Sequence, residues 1–151
     1  MFTKFKLFVE SRFQYIFKSD DDEFDSYRID FDCSGEFIKF FSIRLGKEKK
    51  RFKLIYHHTE THNLKQRVND RTSLKSINEF NYLFIESLKE LFKENYTEVQ
   101  NNGSYSLYLK EYNFSIILNI NYILNNIFVK TVKQGMETVN VKNIIEIKTT
   151  L

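Results

Sequence analysis

The chain of 151 residues contains no proline, no tryptophan, four glycines and one cysteine. The single cysteine, Cys33, cannot form an internal disulfide, and it excludes a zinc site built from several cysteines. A single unpaired cysteine is typical of a protein of the reducing cytoplasm. The scarcity of proline and glycine, with abundant Phe, Lys, Asn and Ile, is what AT-rich coding DNA produces, and it indicates a phage or another AT-rich microbial genome.

Long apolar runs are also missing. The N-terminal segment MFTKFKLFVESRFQYIF is rich in phenylalanine, but Lys4, Lys6, Glu10 and Arg12 interrupt every apolar run. A signal peptide needs an uninterrupted apolar core, and a membrane span needs about 20 apolar residues. We therefore expect a cytoplasmic protein with no membrane contact, organised as a single domain over 1–151.

Charges of opposite sign are segregated along the chain. Residues 20–36 contain eight acidic residues and one arginine, whereas residues 39–75 contain eleven Lys or Arg and three acidic residues. A local surplus of positive charge of this size is typical of a surface that binds phosphates. The alternative is a solvated face whose charge is offset by the acidic segment.

Hydrophobic periodicity predicts an α+β fold. Residues 2–18 place apolar side chains at spacings of three and four, which predicts an N-terminal helix. Residues 27–56 alternate with a period of two and are divided by turn residues, which predicts a three-stranded meander. Residues 1–56 are thus expected to extend a core domain formed by residues 57–151.

The core segment is predicted to begin with two helices. Asn63 to Arg71 forms a short helix with Thr61 as a candidate cap, and Ser76 to Glu79 has the spacing of a capping box before a longer helix. That longer helix covers 77–94 and is followed by β-prone runs, the last of them a candidate edge strand. These runs are 105–110, 114–121, 127–132 and 139–147. Ile117 predicts that the second run is a central strand covered on both faces.

The three histidines lie at positions 57, 58 and 62, just before two arginines spaced by four. His58 and His62 have the spacing of helical zinc ligands, but Glu60 is not directly after His58, as HExxH would require. Acid–base chemistry without a metal or cofactor is the favoured interpretation. His62 would be the general acid or base, and Arg67 and Arg71 would stabilise a pentacovalent phosphate. The alternative is that the arginines pair with nearby carboxylates and the histidines only end a strand.

Residues 63–136 resemble the RelE-type toxins and the RegB-like small proteins of phages. The matching pieces are NLKQRVNDRTSL, the helix 77–94, GSYSLYLKEYNFSIILNI and IFVKTVKQGM. The resemblance implies a RelE-like fold, with two helices before an antiparallel sheet of three or four strands. It also implies a metal-free endoribonuclease that acts by attack of the RNA 2′-hydroxyl. One departure is that a histidine four residues before Arg67 would fall at Asn63, whereas the histidine is at 62.

In such enzymes, basic and tyrosine side chains of the sheet also hold the phosphate. The candidate nucleic-acid-binding residues of the sheet are therefore Tyr108, Lys110, Lys130 and Lys133. His58 and Lys65, near the arginines, complete the set. The expected partner is RNA, including mRNA on the ribosome. The competing hypothesis is a toxin-like but non-enzymatic phage protein that binds and inhibits a host factor.

Overall fold

The computed structural model describes residues 14–18, 26–31, 38–45, 48–57, 59, 63–94, 98–136 and 143–148. These residues form two helices and one sheet of eight strands. The helices are α1 (Leu64–Arg71) and α2 (Ile77–Glu94). The strands in chain order are β1 (Gln14–Lys18), β2 (Ser26–Phe31), β3 (Ile38–Leu45), β4 (Glu48–Tyr56), β5 (Gly103–Leu109), β6 (Phe114–Asn121), β7 (Asn126–Gln134) and β8 (Asn143–Ile147).

Across the sheet the strands lie in the order β1-β2-β3-β4-β7-β6-β5-β8. The β4–β7 and β5–β8 pairs are parallel and the other neighbours are antiparallel. The predicted RelE-like fold, with an antiparallel sheet of three or four strands, is therefore wrong. The predicted meander is present as β2, β3 and β4, but it belongs to the same mixed sheet because β4 pairs with β7. Periodicity indicates which side chains share a face, and it does not indicate which strands become neighbours.

The predicted N-terminal helix over 2–18 is wrong where the structure describes it. Residues 14–18 form β1, which pairs antiparallel with β2. The run Tyr15-Ile16-Phe17 consists of aromatic and β-branched residues, which favour a strand. In a segment so rich in phenylalanine, spacings of three and four also arise without a helix. Residues 1–13 lie outside the described residues.

The helix α2 is the centre of the core, and its predicted bounds are confirmed. Its Phe92 ring lies 5.8 Å from Phe41 of β3 and 5.3 Å from Phe52 of β4, while Phe84 lies 6.2 Å from Tyr56 of β4, measured between ring centroids. Phe84 and Phe92 are eight residues apart on the helix, and Tyr56 and Phe52 are four residues apart on the strand. Both separations correspond to roughly 12 Å. The helix therefore runs antiparallel along β4, with aromatic contacts at both ends of the shared length.

Side chains cap both helices. The predicted capping box at the start of α2 forms in part, because the Glu79 N–H donates to Ser76 Oγ at 3.3 Å but the reciprocal bond is to Lys75 and not to Ser76. The Glu79 carboxylate in turn accepts from the Lys75 N–H at 2.6 Å. The cap of α1 is Asn63, which accepts from the Gln66 N–H at 3.3 Å, and not Thr61 as predicted.

The central and edge positions of the last strands agree with the periodicity. β6 lies between β5 and β7, and its Ile117 is 7 % exposed although it points away from the core side chains Ile116 and Leu118. β8 lies at the edge of the sheet over residues 143–147. Neither helix in the described ranges combines the length and the apolar character of a membrane span.

Alkaline pH is expected to destabilise the protein through Tyr56. Burial raises the pKa of its phenol in the folded state, against a smaller opposing hydrogen bond with the backbone of Ile38. The unfolded phenol ionises near pH 10. The stability due to the neutral buried phenol is therefore full below about pH 10 and falls above it, by about 1.4 kcal/mol per pH unit.

The variant Tyr56→Phe has no phenol to ionise. Urea unfolding of both proteins at pH 8 and pH 11 should show that the wild type loses more stability than the variant at the higher pH. Equal losses in the two proteins would contradict the assignment.

Candidate nucleic-acid interface

The two faces of the sheet differ in chemistry. One face packs on α1 and α2 and carries the apolar core. We call the opposite face the distal face. The strand segments 50–57, 103–109, 114–121 and 126–134 contain five Lys or Arg and no Asp or Glu. These segments therefore place cations but no carboxylate on the distal face, and the edge strand β8 adds one acid there, Glu146, beside Tyr108.

The strand β7 carries Phe128, Lys130 and Lys133 on the distal face. Phe128 lies beside Ile55 of β4 in the strand register, and the ring of His57, which follows β4, has its centroid 5.6 Å from that of Phe128. Ile55, His57 and Phe128 thus lie beside Lys130 and Lys133 within about one strand length. Phe128, Lys130 and Lys133 are all half-buried.

Hydrogen bonds position Lys130. A bulge in β7 shifts the register between β6 and β7 at this point. Lys130 Nζ donates to Ser104 Oγ of β5 at 3.0 Å, and Asn119 Nδ2 of β6 donates to the same oxygen at 3.3 Å. The ammonium group thus lies across the middle of the distal face, over β6.

Tyr108 completes this row of side chains. In the register of the sheet, Tyr108 of β5 lies beside Ser115 of β6, which lies beside Lys133 of β7. The Tyr108 hydroxyl donates to Asn113 Oδ1 at 3.0 Å. The structure therefore brings three of the predicted nucleic-acid-binding residues, Tyr108, Lys130 and Lys133, to one face. Lys110 is exposed in a short 3₁₀ turn at the end of β5 and does not lie on this face.

The helix α1 lies beside the far end of β7. Val129 is the last β7 residue that pairs with β4, and beyond it Arg71 Nη1 donates to the carbonyl oxygen of Val132 at 2.9 Å. Arg71 is thus next to the residue that precedes Lys133. Arg67 lies one helical turn earlier and is half-buried. Its guanidinium makes no hydrogen bond or ion pair with any residue in the described ranges.

Lys65, another predicted residue, is not part of this site. Lys65 is exposed and lines a pocket of about 320 Å³ with residues at the starts of both helices, among them Asn63 and Ser76. Both of these side chains already cap helices. His58 and His62 lie outside the described residues. No three His, Cys, Asp or Glu come together as metal ligands among the residues that the structure describes.

No protein-family model, curated protein or solved structure matches the chain. The resemblance of residues 63–136 to RelE-type toxins therefore stays a prediction, and the functional argument rests on the geometry of the described residues.

Three residues of the distal face that the site uses, Lys53, His57 and Phe128, were not predicted as site residues. Lys53 is exposed on β4 and lies beside Asn126 of β7. Four β-prone segments without any acidic residue are a signal in the sequence that would have found them. The alternation of apolar and basic residues was not sufficient to identify them, because any strand with one solvated face shows the same alternation.

Arg71 and Arg67 are expected to differ in their effect on stability. Arg71→Ala removes a charged donor and leaves the Val132 carbonyl without it, so we expect a loss of about 1–2 kcal/mol in the free energy of unfolding. Arg67→Ala, on the same stripe of α1, should change that free energy by no more than about 0.5 kcal/mol. Urea denaturation of the two variants measures both values, and equal effects would show that the Arg71–Val132 bond is not structural.

Proposed function

We propose that the protein binds single-stranded RNA across the distal face of the sheet, with β7 as the centre of the site. The observation that supports this most is the grouping of the Phe128 and His57 rings with Lys130 and Lys133 on strands whose paired segments carry no acidic residue. Unpaired bases stack on aromatic side chains, and lysines bind the phosphates between them. A sheet with rings and cations side by side offers both interactions to one strand.

The dimensions of the site suit a short single strand. Asn126 to Lys133 extends along β7 for roughly 20 Å, at about 3.3 Å per residue. Small single-strand sites hold about four nucleotides or more. Arg71, beside Val132, and Arg67 extend the positive charge past the end of this path. Arginine binds phosphate through two parallel hydrogen bonds, so these side chains would hold the phosphates that leave the sheet.

Single strands suit this face better than duplexes. In a duplex the bases are paired and stacked on one another, so rings on a protein surface cannot reach their flat sides. Phe128 and His57 would be of no use to a protein that binds only phosphates. Their position between Lys53 and Lys130 therefore favours a ligand with unpaired bases.

The salt dependence of binding tests the proposal. Lys130→Ala/Lys133→Ala removes two phosphate contacts, so the slope of log Kd against log salt should decrease by about 1.4 for a single strand. The control is Lys75→Ala/Lys89→Ala, which makes the same change in charge near and on α2 and should leave the slope as in the wild type. Fluorescence anisotropy with a short unstructured oligoribonucleotide, between about 50 and 200 mM salt, gives these slopes.

The same titrations also test whether Phe128 stacks on a base. Phe128→Ala should weaken binding by about 1–3 kcal/mol and leave the salt slope unchanged. Equal slopes for the two lysine variants would refute the proposed surface. No binding of the wild type to RNA would favour the competing hypothesis of a protein partner.

The endoribonuclease hypothesis gives Arg67 and Arg71 a catalytic role. It predicts that the wild type shortens total bacterial RNA or ribosome-bound mRNA in EDTA, and that His62→Ala/Arg67→Ala/Arg71→Ala does not. Arg67→Ala alone should lower the rate because it removes a phosphate-stabilising cation, and it should leave the fold intact because the Arg67 guanidinium has no hydrogen bond or ion pair in the described ranges. Gel analysis of RNA length measures cleavage, and intact RNA after incubation would leave binding as the function.

A further inference from the structure

The turn between β6 and β7 exposes two adjacent large aliphatic side chains. Ile123 is 82 % exposed and Leu124 is 68 % exposed, against 52 % for Met136. These are the highest values for large apolar residues in the described ranges. Single exposed aliphatic residues are common, but an adjacent pair at the tip of a turn indicates a contact with something outside the chain.

Hydrogen bonds hold the tip in one conformation. The side-chain oxygen of Asn121 accepts from the N–H of Ile123 at 2.9 Å and from the N–H of Leu124 at 3.0 Å. Asn125 then adopts the left-handed conformation, with φ at 50°. The two aliphatic side chains are therefore presented by a turn whose backbone is fixed before any ligand binds.

Tyr122 ties the base of the turn to the core. Its N–H donates to Asn102 Oδ1 at 2.8 Å, and its hydroxyl donates to the carbonyl of Val99. Its ring packs edge-on against Phe52 with centroids 5.8 Å apart, and Lys50 Nζ lies 5.4 Å from its centre. These contacts make the tip a rigid projection with a lysine at its base.

The tip continues the path of the distal face. Lys53, Asn126 and Asn121 form the row of the sheet next to the turn, and the Lys53 N–H donates to the carbonyl of Asn125 at 2.9 Å. The segment 114–134 contains no acidic residue. An RNA strand that follows β7 toward Asn126 therefore meets the two aliphatic side chains next.

We propose that Ile123 and Leu124 stack on the terminal base pair of an RNA duplex whose single-stranded tail lies on the distal face. The inference rests on the proposed function and narrows the ligand to RNA with a duplex end and an unpaired tail. Aliphatic side chains act as wedges against base pairs in known modes of recognition. Lys53, exposed beside Asn126, can bind the phosphate at which the tail joins the duplex.

The test compares a hairpin that carries a single-stranded tail with the tail alone. The wild type should bind the tailed hairpin about tenfold more tightly, the effect expected when two aliphatic side chains bury apolar surface against a base pair. Ile123→Ser/Leu124→Ser should bind both ligands with the affinity that the wild type has for the tail. Both residues are exposed, so the variant should fold as the wild type does, which circular dichroism and urea denaturation check. Met136→Ser, an exposed apolar residue past the other end of β7, is the matched control and should keep the preference.

A second readout reports stacking directly. A 2-aminopurine in the terminal base pair should change its fluorescence when the wild type binds and should not when the double variant binds. A tail that binds while the hairpin gives no added affinity would overturn the inference and leave the proposed function intact. Failure to bind either RNA would overturn both. Ile123- and Leu124-dependent binding to phosphatidylcholine–phosphatidylserine vesicles, without any preference for the hairpin, would assign the tip to a lipid surface and also refute the inference.

Discussion

The parallel pairing of β4 with β7 is the contact on which the rest of the structure depends. It covers four residues of each strand, Lys53 to Tyr56 and Asn126 to Val129, and joins the meander to the strands that follow α2. On the core face this register places Leu54 beside Ile127 and Tyr56 beside Val129. On the distal face it places Lys53 beside Asn126 and Ile55 beside Phe128. A shift of one residue would exchange the two faces of β4, so one register determines both the core and the candidate interface.

The pairing is also short, and its end explains the position of α1. β7 continues for five residues beyond Val129, and the backbone groups on the side of β4 lose their strand partner there. A buried carbonyl without a donor destabilises the fold, and at Val132 Arg71 supplies the shorter of two donors, beside the Thr131 hydroxyl at 3.3 Å. Leu64 and Val68 of the same helix are buried in the core. A helix that completes the edge of the sheet therefore brings its two arginines to the end of the basic strand.

Local signals in the sequence predicted most of the helices and strands but little of how they are arranged. Ser76 and Glu79 specify the start of α2, because a capping box is formed within one helical turn. The alternation of Phe114, Ile116 and Leu118 likewise specifies a strand and its inner face. The parallel pairing of β4 with β7 joins segments about 70 residues apart, and no local pattern encodes it. Arg71 could not be assigned for the same reason, since its acceptor, Val132, lies in a distant strand.

The candidate interface has the energetic character of a site that is organised before it binds. Lys130 is held by Ser104 and the Phe128 ring by contact with His57, so less side-chain freedom is lost when a ligand binds. The two arginines of α1, in contrast, repel each other in the free protein. Like charges four residues apart on a helix destabilise it by about 0.2–0.5 kcal/mol, and Arg67 has no carboxylate partner in the described ranges to offset this. A phosphate bound between them would remove that repulsion, so part of the binding free energy would come from relief of a strain present in the free protein.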